Sequence, residues 1–339
     1  MTGQRKPVSK ALGMTPPSRS SRTDPASLRA ATSGGTVPGL DNAPAFTISN
    51  PPRLRMPVLV AVPHAGRAYP AAVTGRMRDA GLAQLRLEDR YVDRLGVAIA
   101  RETGAALLVA HAPRALMDLN RAEDDIDWDM IEGGRPEGVH RTPTGQNGNA
   151  RARSGLGLVP RRLPGSGEIW RGRLSQSELA ARIAGIHQAY HETLSAQLAR
   201  IRDEWGAALL IDLHSMPPLR AAEHEQRAPV IVLGDRFGAS CHNVLMGRAL
   251  GHLEARGVPA AHNRPYSGGY VLDRHGMPHT GVHAMQIEVC RATYLDRQLA
   301  EPGAGLPVVA TMLSALVREL GGETARLGGG SEGMQQAAE

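Results

Sequence analysis

The stretch Ala208–Met216, ALLIDLHSM, is an apolar run that stops on a carboxylate, a histidine and a hydroxyl. A short, continuous apolar run suits a strand buried on both faces, as in the parallel part of an α/β sheet. Its polar end then lies at the carboxyl edge of the sheet, where ligands and catalytic groups collect in open α/β folds. His214 is therefore a candidate metal ligand, with a hydrogen-bonded structural histidine as the alternative. Working outward, Val58–Val62, VLVAV, repeats the pattern by running into Pro63-His64-Ala65-Gly66. Two histidines delivered in this way can face one cavity.

Further buried strands are predicted at Ala105–Ala110, Pro229–Leu233 and His283–Val289, the last carrying Glu288. Between them, helical apolar spacing is predicted over Ala71–Thr103, Ser175–Trp205, roughly 240–256 and roughly Leu306–Leu320. Ser175 with Glu178 offers a capping box for the second helix. The alternation predicts one α/β domain over 51–322, large enough to bury a substantial core. Residues 1 to 50 carry Ser, Thr, Pro, Gly and Arg with few periodic apolar positions and are expected to form a disordered arm. Residues 133–173 are expected to be a long loop or lid, and 323–339 a flexible tail.

The net charge of +6 and pI near 9.8 would suit a nucleic-acid partner, but arginine is dispersed along the chain and aromatic residues make up only 3%. That leaves little for base stacking, so a small anionic partner is expected rather than nucleic acid. No apolar run approaches the roughly 18 residues of a membrane span, and the amino terminus lacks the apolar core of a secretory signal. A cytoplasmic protein with no membrane partner is predicted. Cys241 and Cys290 sit in no CxxC, which argues against a cysteine-based zinc site. The chain carries no signal for an oligomeric state.

Several polar positions stand out. In LEDRYVDRL, Asp89 and Asp93 are four apart and share one face of the predicted helix; they either pair with Arg90 and Arg94 or turn one carboxylate inward to a metal. Asn120-Arg121, with Arg114 nearby, could grip a carboxylate, because arginine's rigid donor fork matches it. Gly268-Gly269 would permit either close backbone approach to a ligand or a tight turn. Glu288, among Met285, Ile287 and Val289, would be costly to bury without a partner.

Taken together, VPHAG at 62–66, DLNR at 118–121, DLHS at 212–215, NRPYSGG at 263–269 and MQIEV at 285–289 resemble the N-formylglutamate amidohydrolase family. The resemblance spans about residues 56–297, and that family resembles the zinc carboxypeptidases and aspartoacylase-type amidohydrolases. It implies a three-layer α/β/α, phosphorylase/hydrolase-like and zinc carboxypeptidase-like, fold with a mixed, mostly parallel sheet. It also implies zinc, or another divalent metal, on His64 and His214, with Glu288 as the catalytic glutamate and Arg114 near the scissile carbonyl. By the same comparison Asn120 and Arg121 match a carboxylate grip, and Asn263, Tyr266, Gly268 and Gly269 belong to a substrate-covering loop.

One departure concerns the third ligand. The carboxypeptidases place a zinc-binding glutamate three residues after the first histidine, where this chain has Arg67, and a guanidinium cannot ligate a cation. Asp89 is taken as the third ligand, because an aspartate occupies a similar place in the related amidohydrolases, with Asp93 as runner-up. Two imidazoles and a carboxylate leave one tetrahedral position open, the arrangement of a catalytic zinc site. The reaction so implied is hydrolysis of N-formyl-L-glutamate or a related N-acyl amino acid. A peptidase or amidase of the same fold, or a basic non-catalytic binding protein, are the alternatives.

Overall fold

The computed structural model describes residues 31–51, 53–137, 150–163, 165–221 and 227–329. Ten strands follow in chain order: β1 Thr32–Gly34, β2 Phe46–Ser49, β3 Val58–Val62, β4 Ala106–Ala110, β5 Arg162–Leu163, β6 Gly167–Glu168, β7 Ala208–Met216, β8 Ile231–Gly234, β9 Ala260–His262 and β10 Val282–Cys290. Eight of them form one sheet in the order β1-β2-β4-β3-β7-β10-β8-β9, while β5 and β6 pair separately. The central strands β4, β3, β7 and β10 are mutually parallel, and antiparallel neighbours flank them on both sides. All four central strands therefore present their carboxyl ends at the same edge of the sheet.

The expected three layers are present because alternate residues of these strands feed two separate cores. Leu210, Leu59, Leu108 and Ala284 pack against Tyr190, Leu194, Leu198 and Ile201 of the helix Ala189–Trp205. Leu209, Ile211 and Leu213 pack on the other face against Leu95 and Ile99 of the helix Val92–Thr103 and Leu313, Leu316 and Val317 of the helix Leu306–Leu327. Leu209, Ile211 and Leu213 are fully buried, and each contributes about 1.5–3 kcal/mol. That burial fixes the strand while its opposite face carries Asp212 and His214. Register places His214 beside Glu288 and Asp212 beside Gln286, so these four polar side chains share one face of β7 and β10.

The sheet starts earlier than the composition suggested. Within the span expected to be a disordered arm, β1 pairs with β2 and β2 with β4, and Phe46 and Ile48 enter the core. The alternation in Phe46–Ser49 was masked by its Gly- and Pro-rich flanks. Residues 1–30 of the arm lie outside the described residues. The 133–173 segment is not a bare lid where described: Leu158, Val159, Ile169 and Trp170 are buried, and the Trp170 indole donates to Pro160 O at 2.8 Å. Its residues 138–149 lie outside the description. The last helix runs to Leu327, into the expected tail, of which residues 330–339 lie outside the description.

The predicted Ala71–Thr103 helix is instead three pieces, Ala71–Thr74, Ala80–Leu87 and Val92–Thr103. Glu88 is extended and Tyr91 is left-handed at φ 59°. Asp89 N donates to His64 O at 2.9 Å, which ties the break to the end of β3. The apolar spacing continues across the interruption, so periodicity alone could not reveal it.

Candidate metal centre and active site

Three buried side chains converge at the carboxyl edge. His64 follows β3, His214 ends β7, and Asp89 comes from the break between the two helices; one ligand atom from each lies within 4.8 Å of the others. Asp89 Oδ2 is 3.0 Å from His214 Nδ1 and 3.7 Å from His64 Nδ1. Asp93 is not part of the cluster. It sits in the first turn of the next helix and forms a two-point ion pair with Arg67 at 2.7 and 3.2 Å.

Each imidazole is oriented from behind by a carboxylate. His64 Nε2 donates to Asp118 Oδ1 at 2.8 Å, and His214 Nε2 donates to Asp212 Oδ2 at 2.8 Å. Both Nδ1 atoms consequently point at Asp89, the tautomer control that metal-bound histidines receive from neighbouring carboxylates. Asp89 is itself oriented: its Oδ1 accepts from Ser215 Oγ and Arg291 Nη2, both at 3.2 Å. Burial opposes ionisation of Asp89, but hydrogen bonds and charge from His214 and His64 outweigh it and hold the carboxyl well below its usual range. Burial opposes protonation of His214, but Asp212, Asp89 and Glu288 raise its pKa well above the ordinary value.

These residues fit a divalent metal. His64 Nδ1 is buried without a hydrogen-bond partner among the described residues, a costly state for a polar atom that has no ligand. A tetrahedral zinc with bonds of about 2.0–2.1 Å spaces its ligand atoms at about 3.3 Å, and the separations of Asp89 Oδ2 from the two Nδ1 atoms, 3.0 and 3.7 Å, bracket that value. A cation would take the place of the proton between His214 and Asp89, so binding would release a proton. Nitrogen and oxygen ligands in this ratio suit zinc without selecting it uniquely.

Glu288 stands next to this cluster. Burial pushes its pKa up to about 7, with Asp89 and Asp212 also raising it and His214 and Arg114 lowering it. Its Oε1 accepts from Gln286 Nε2 at 3.0 Å. Gln286 Oε1 lies 3.5 Å from Asn120 Nδ2, and Asn120 Oδ1 accepts from Val271 N at 3.0 Å. Arg114 binds Asp118 Oδ2 through Nε and Nη2, both at 2.9 Å, and acts electrostatically on Asp89 and Glu288. Arg121 donates through Nε to Leu156 O at 2.9 Å and through Nη1 to Asn120 O at 2.6 Å. Its Nη2 stands 3.9 Å from Asp118 Oδ2. Burial together with Arg114 and Arg151 lowers the pKa of Arg121 against the pull of Asp118 and Asp125.

The 263–269 loop closes this side. Tyr266 is half-buried, and burial together with the charges of Glu288 and Asp89 raises its phenol pKa. Gly268 has φ +98°, and a Cβ there would press on the Leu272 side chain; a Cβ on Gly269 would stand 2.6 Å from Asn120 Oδ1. Gly268 is thus required by its left-handed backbone and the close Leu272 side chain, and Gly269 by the docking of this loop on Asn120. Asn263 lies farther back, where its Nδ2 donates to Asp235 Oδ1 at 2.7 Å and its Oδ1 accepts from Asp235 N at 3.0 Å.

The sequence profile of the N-formylglutamate amidohydrolase family matches residues 56–295. The chain belongs to this family. N-formylglutamate amidohydrolases share its sequence across most of the folded region: the N-formylglutamate deformylase of Pseudomonas aeruginosa is 32% identical over 275 residues, covering 79% of this chain and 92% of its own. The N-formylglutamate deformylase of Pseudomonas putida is 32% identical over 244 residues, covering 71% of this chain and 83% of its own. The fold agrees too. The crystal structure of N-formylglutamate amidohydrolase from Ralstonia eutropha superposes with a TM-score of 0.72 at 28% identity, covering 83% of this chain and 99% of that one.

Five residues of the site escaped the sequence reading as participants: Asp118, Asp212, Ser215, Gln286 and Arg291. A signal existed for two of them, since Asp212 with His214 and Gln286 with Glu288 are i, i+2 pairs that share a strand face. For Asp118, Ser215 and Arg291 the contacts are long-range, and local pattern does not encode them.

Proposed function

We propose that this chain hydrolyses the amide bond of N-formyl-L-glutamate or a closely related N-acyl amino acid with the help of zinc or another divalent ion. The observation that supports this reading most is the buried His64, Asp89 and His214 cluster with Glu288 on the same strand face, its pKa displaced to about 7. A divalent ion held by His64 Nδ1, His214 Nδ1 and Asp89 Oδ2 would supply Lewis acidity that polarises a carbonyl and acidifies water. Glu288 has the basicity to accept a proton from the attacking water and return it to the leaving nitrogen. Arg114, held against Asp118, offers positive charge where an oxyanion would develop. Arg121 Nη2 and the Asn120 amide would hold the substrate carboxylate, fixing the amide over the base.

The test is an assay of free amine release from a panel of N-formyl and N-acetyl amino acids, before and after treatment with a chelator. Turnover highest on N-formyl-L-glutamate and lost with the metal is expected. Full turnover by metal-free protein, or none on any member of the panel by metal-loaded protein, would overturn the proposal.

A further inference from the structure

Behind Asn120 and Arg121, three consecutive carbonyls accept from buried or partly buried side chains. Leu119 O accepts from His191 Nε2 at 3.0 Å, Asn120 O from Arg121 Nη1 at 2.6 Å, and Arg121 O from His187 Nε2 at 2.9 Å. Because a carbonyl only accepts, both imidazoles carry their proton on Nε2. His191 Nδ1 is then an acceptor. The group facing it is His275 Nε2 at 3.0 Å, and His275 Nδ1 in turn accepts from Ser195 Oγ at 3.3 Å. The chain Ser195, His275, His191, Leu119 therefore has one consistent proton arrangement, with both imidazoles neutral. An added proton on His191 would reverse this chain, moving the His275 proton to Nδ1, where it would donate to Ser195 Oγ.

The placement of these groups is built into the backbone. His187 lies within a π-helical turn, Ile183–Gln188, inside the long helical segment, and such widened turns recur at functional positions. The rings of His187 and His191 lie 4.5 Å apart and point together at the segment after β4. Tyr270, which opens the helix Tyr270–His275 directly after Gly269, stacks on His187 at 5.6 Å and meets His191 edge-on at 5.2 Å. His187, His191 and His275 are buried. The charged groups acting on them are Arg274 from the helix of His275, and Asp118 and Glu123 from the segment after β4, where Arg121 contributes only its backbone carbonyl.

We propose that His187 and His191, with His275 setting the tautomer of His191, are positioning residues that hold the Asn120–Arg121 segment in place for substrate and, through Asn120 and Gln286, orient Glu288. The inference rests on the hydrolase reading above. It explains why Asn120 can serve two partners at once: its backbone is pinned on one side by imidazoles while its amide reaches Val271 N and Gln286 on the other.

The experiment compares His191→Leu with His191→Gln, because a glutamine amide restores a donor to Leu119 O and leucine does not. His191→Leu should lower kcat/KM on N-formyl-L-glutamate roughly 10- to 100-fold, mainly through KM, and His191→Gln should recover most of it. A folded His191→Leu protein with wild-type KM, or a His191→Gln protein as impaired as His191→Leu, would overturn the proposal. Nitrogen-15 NMR of the wild-type imidazoles reads the same chain without catalysis. His191 and His275 should be neutral and Nε2-protonated throughout about pH 5.5–7.5, whereas ordinary titration near about 6.5 would overturn it. If the wild type fails to hydrolyse any N-acyl amino acid, the hydrolase reading falls, and the NMR tautomers still decide the hydrogen-bond chain.

Discussion

Replacing Asp212 with asparagine changes charge and almost nothing else, which makes it a sensitive probe of the candidate metal centre. Asp212 is fully buried; its Oδ2 accepts from His214 Nε2 at 2.8 Å, and its Oδ1 has no hydrogen-bond partner among the described residues. In Asp212→Asn the amide oxygen keeps the bond to His214 while the amide nitrogen takes the place of the unpartnered Oδ1. The imidazole stays oriented but loses the anion that raises its basicity. Removing such a supporting carboxylate costs about 10- to 100-fold in metal affinity, equivalent to about 1.4–2.7 kcal/mol. The assay is a competition titration of zinc against a chelator of known affinity, with circular dichroism to confirm an unchanged fold. Affinity equal to wild type in a folded Asp212→Asn protein would refute the claim that Asp212 tunes a metal-bound His214.

Glu288→Gln should retain its metal, measured by elemental analysis, while kcat falls about 10²- to 10⁴-fold; turnover within a few-fold of wild type would remove its role as base. Arg121→Ala should raise KM roughly 10- to 100-fold, as expected for loss of a hydrogen bond to a charged group, and an unchanged KM would rule out its contact with the substrate carboxylate. His275 gives a pH prediction. Burial and Arg274 lower its pKa to about 3 in the folded protein, against about 6.5 when unfolded. With the folded value depressed, its contribution is complete above about pH 6.5 and declines as pH falls toward 3. Between pH 7.5 and 5.5 the wild type should lose about 1.4 kcal/mol more unfolding free energy than His275→Gln, as measured by urea titration; identical pH slopes would contradict the buried neutral state.

How much of this was legible in the sequence depended on whether the signal was local. Apolar runs ending in His64 and His214, and an alternating strand carrying Glu288 near its end, announced both the strands and the edge at which those residues meet, because burial on two faces demands such runs. Local pattern gave Asp89 only as one of two aspartates on a supposed helix face, and the resemblance to the related amidohydrolases preferred it over Asp93. The structure separates them by breaking that helix at Glu88–Tyr91, where a backbone bond to His64 and a left-handed Tyr91 decide the path. Carboxylates that support the imidazoles, and histidines that support a loop, act across 54 or more positions in the case of His64 with Asp118 and His191 with Leu119. No periodicity carries that information.

Diffraction from zinc-soaked crystals, recorded on both sides of the zinc absorption edge, tests the central claim most directly. One strong anomalous peak bonded to His64 Nδ1, His214 Nδ1 and an Asp89 oxygen, with Asp118 and Asp212 still on the two Nε2 atoms, is the predicted result. A peak away from these three side chains, or none at saturating zinc, would contradict it.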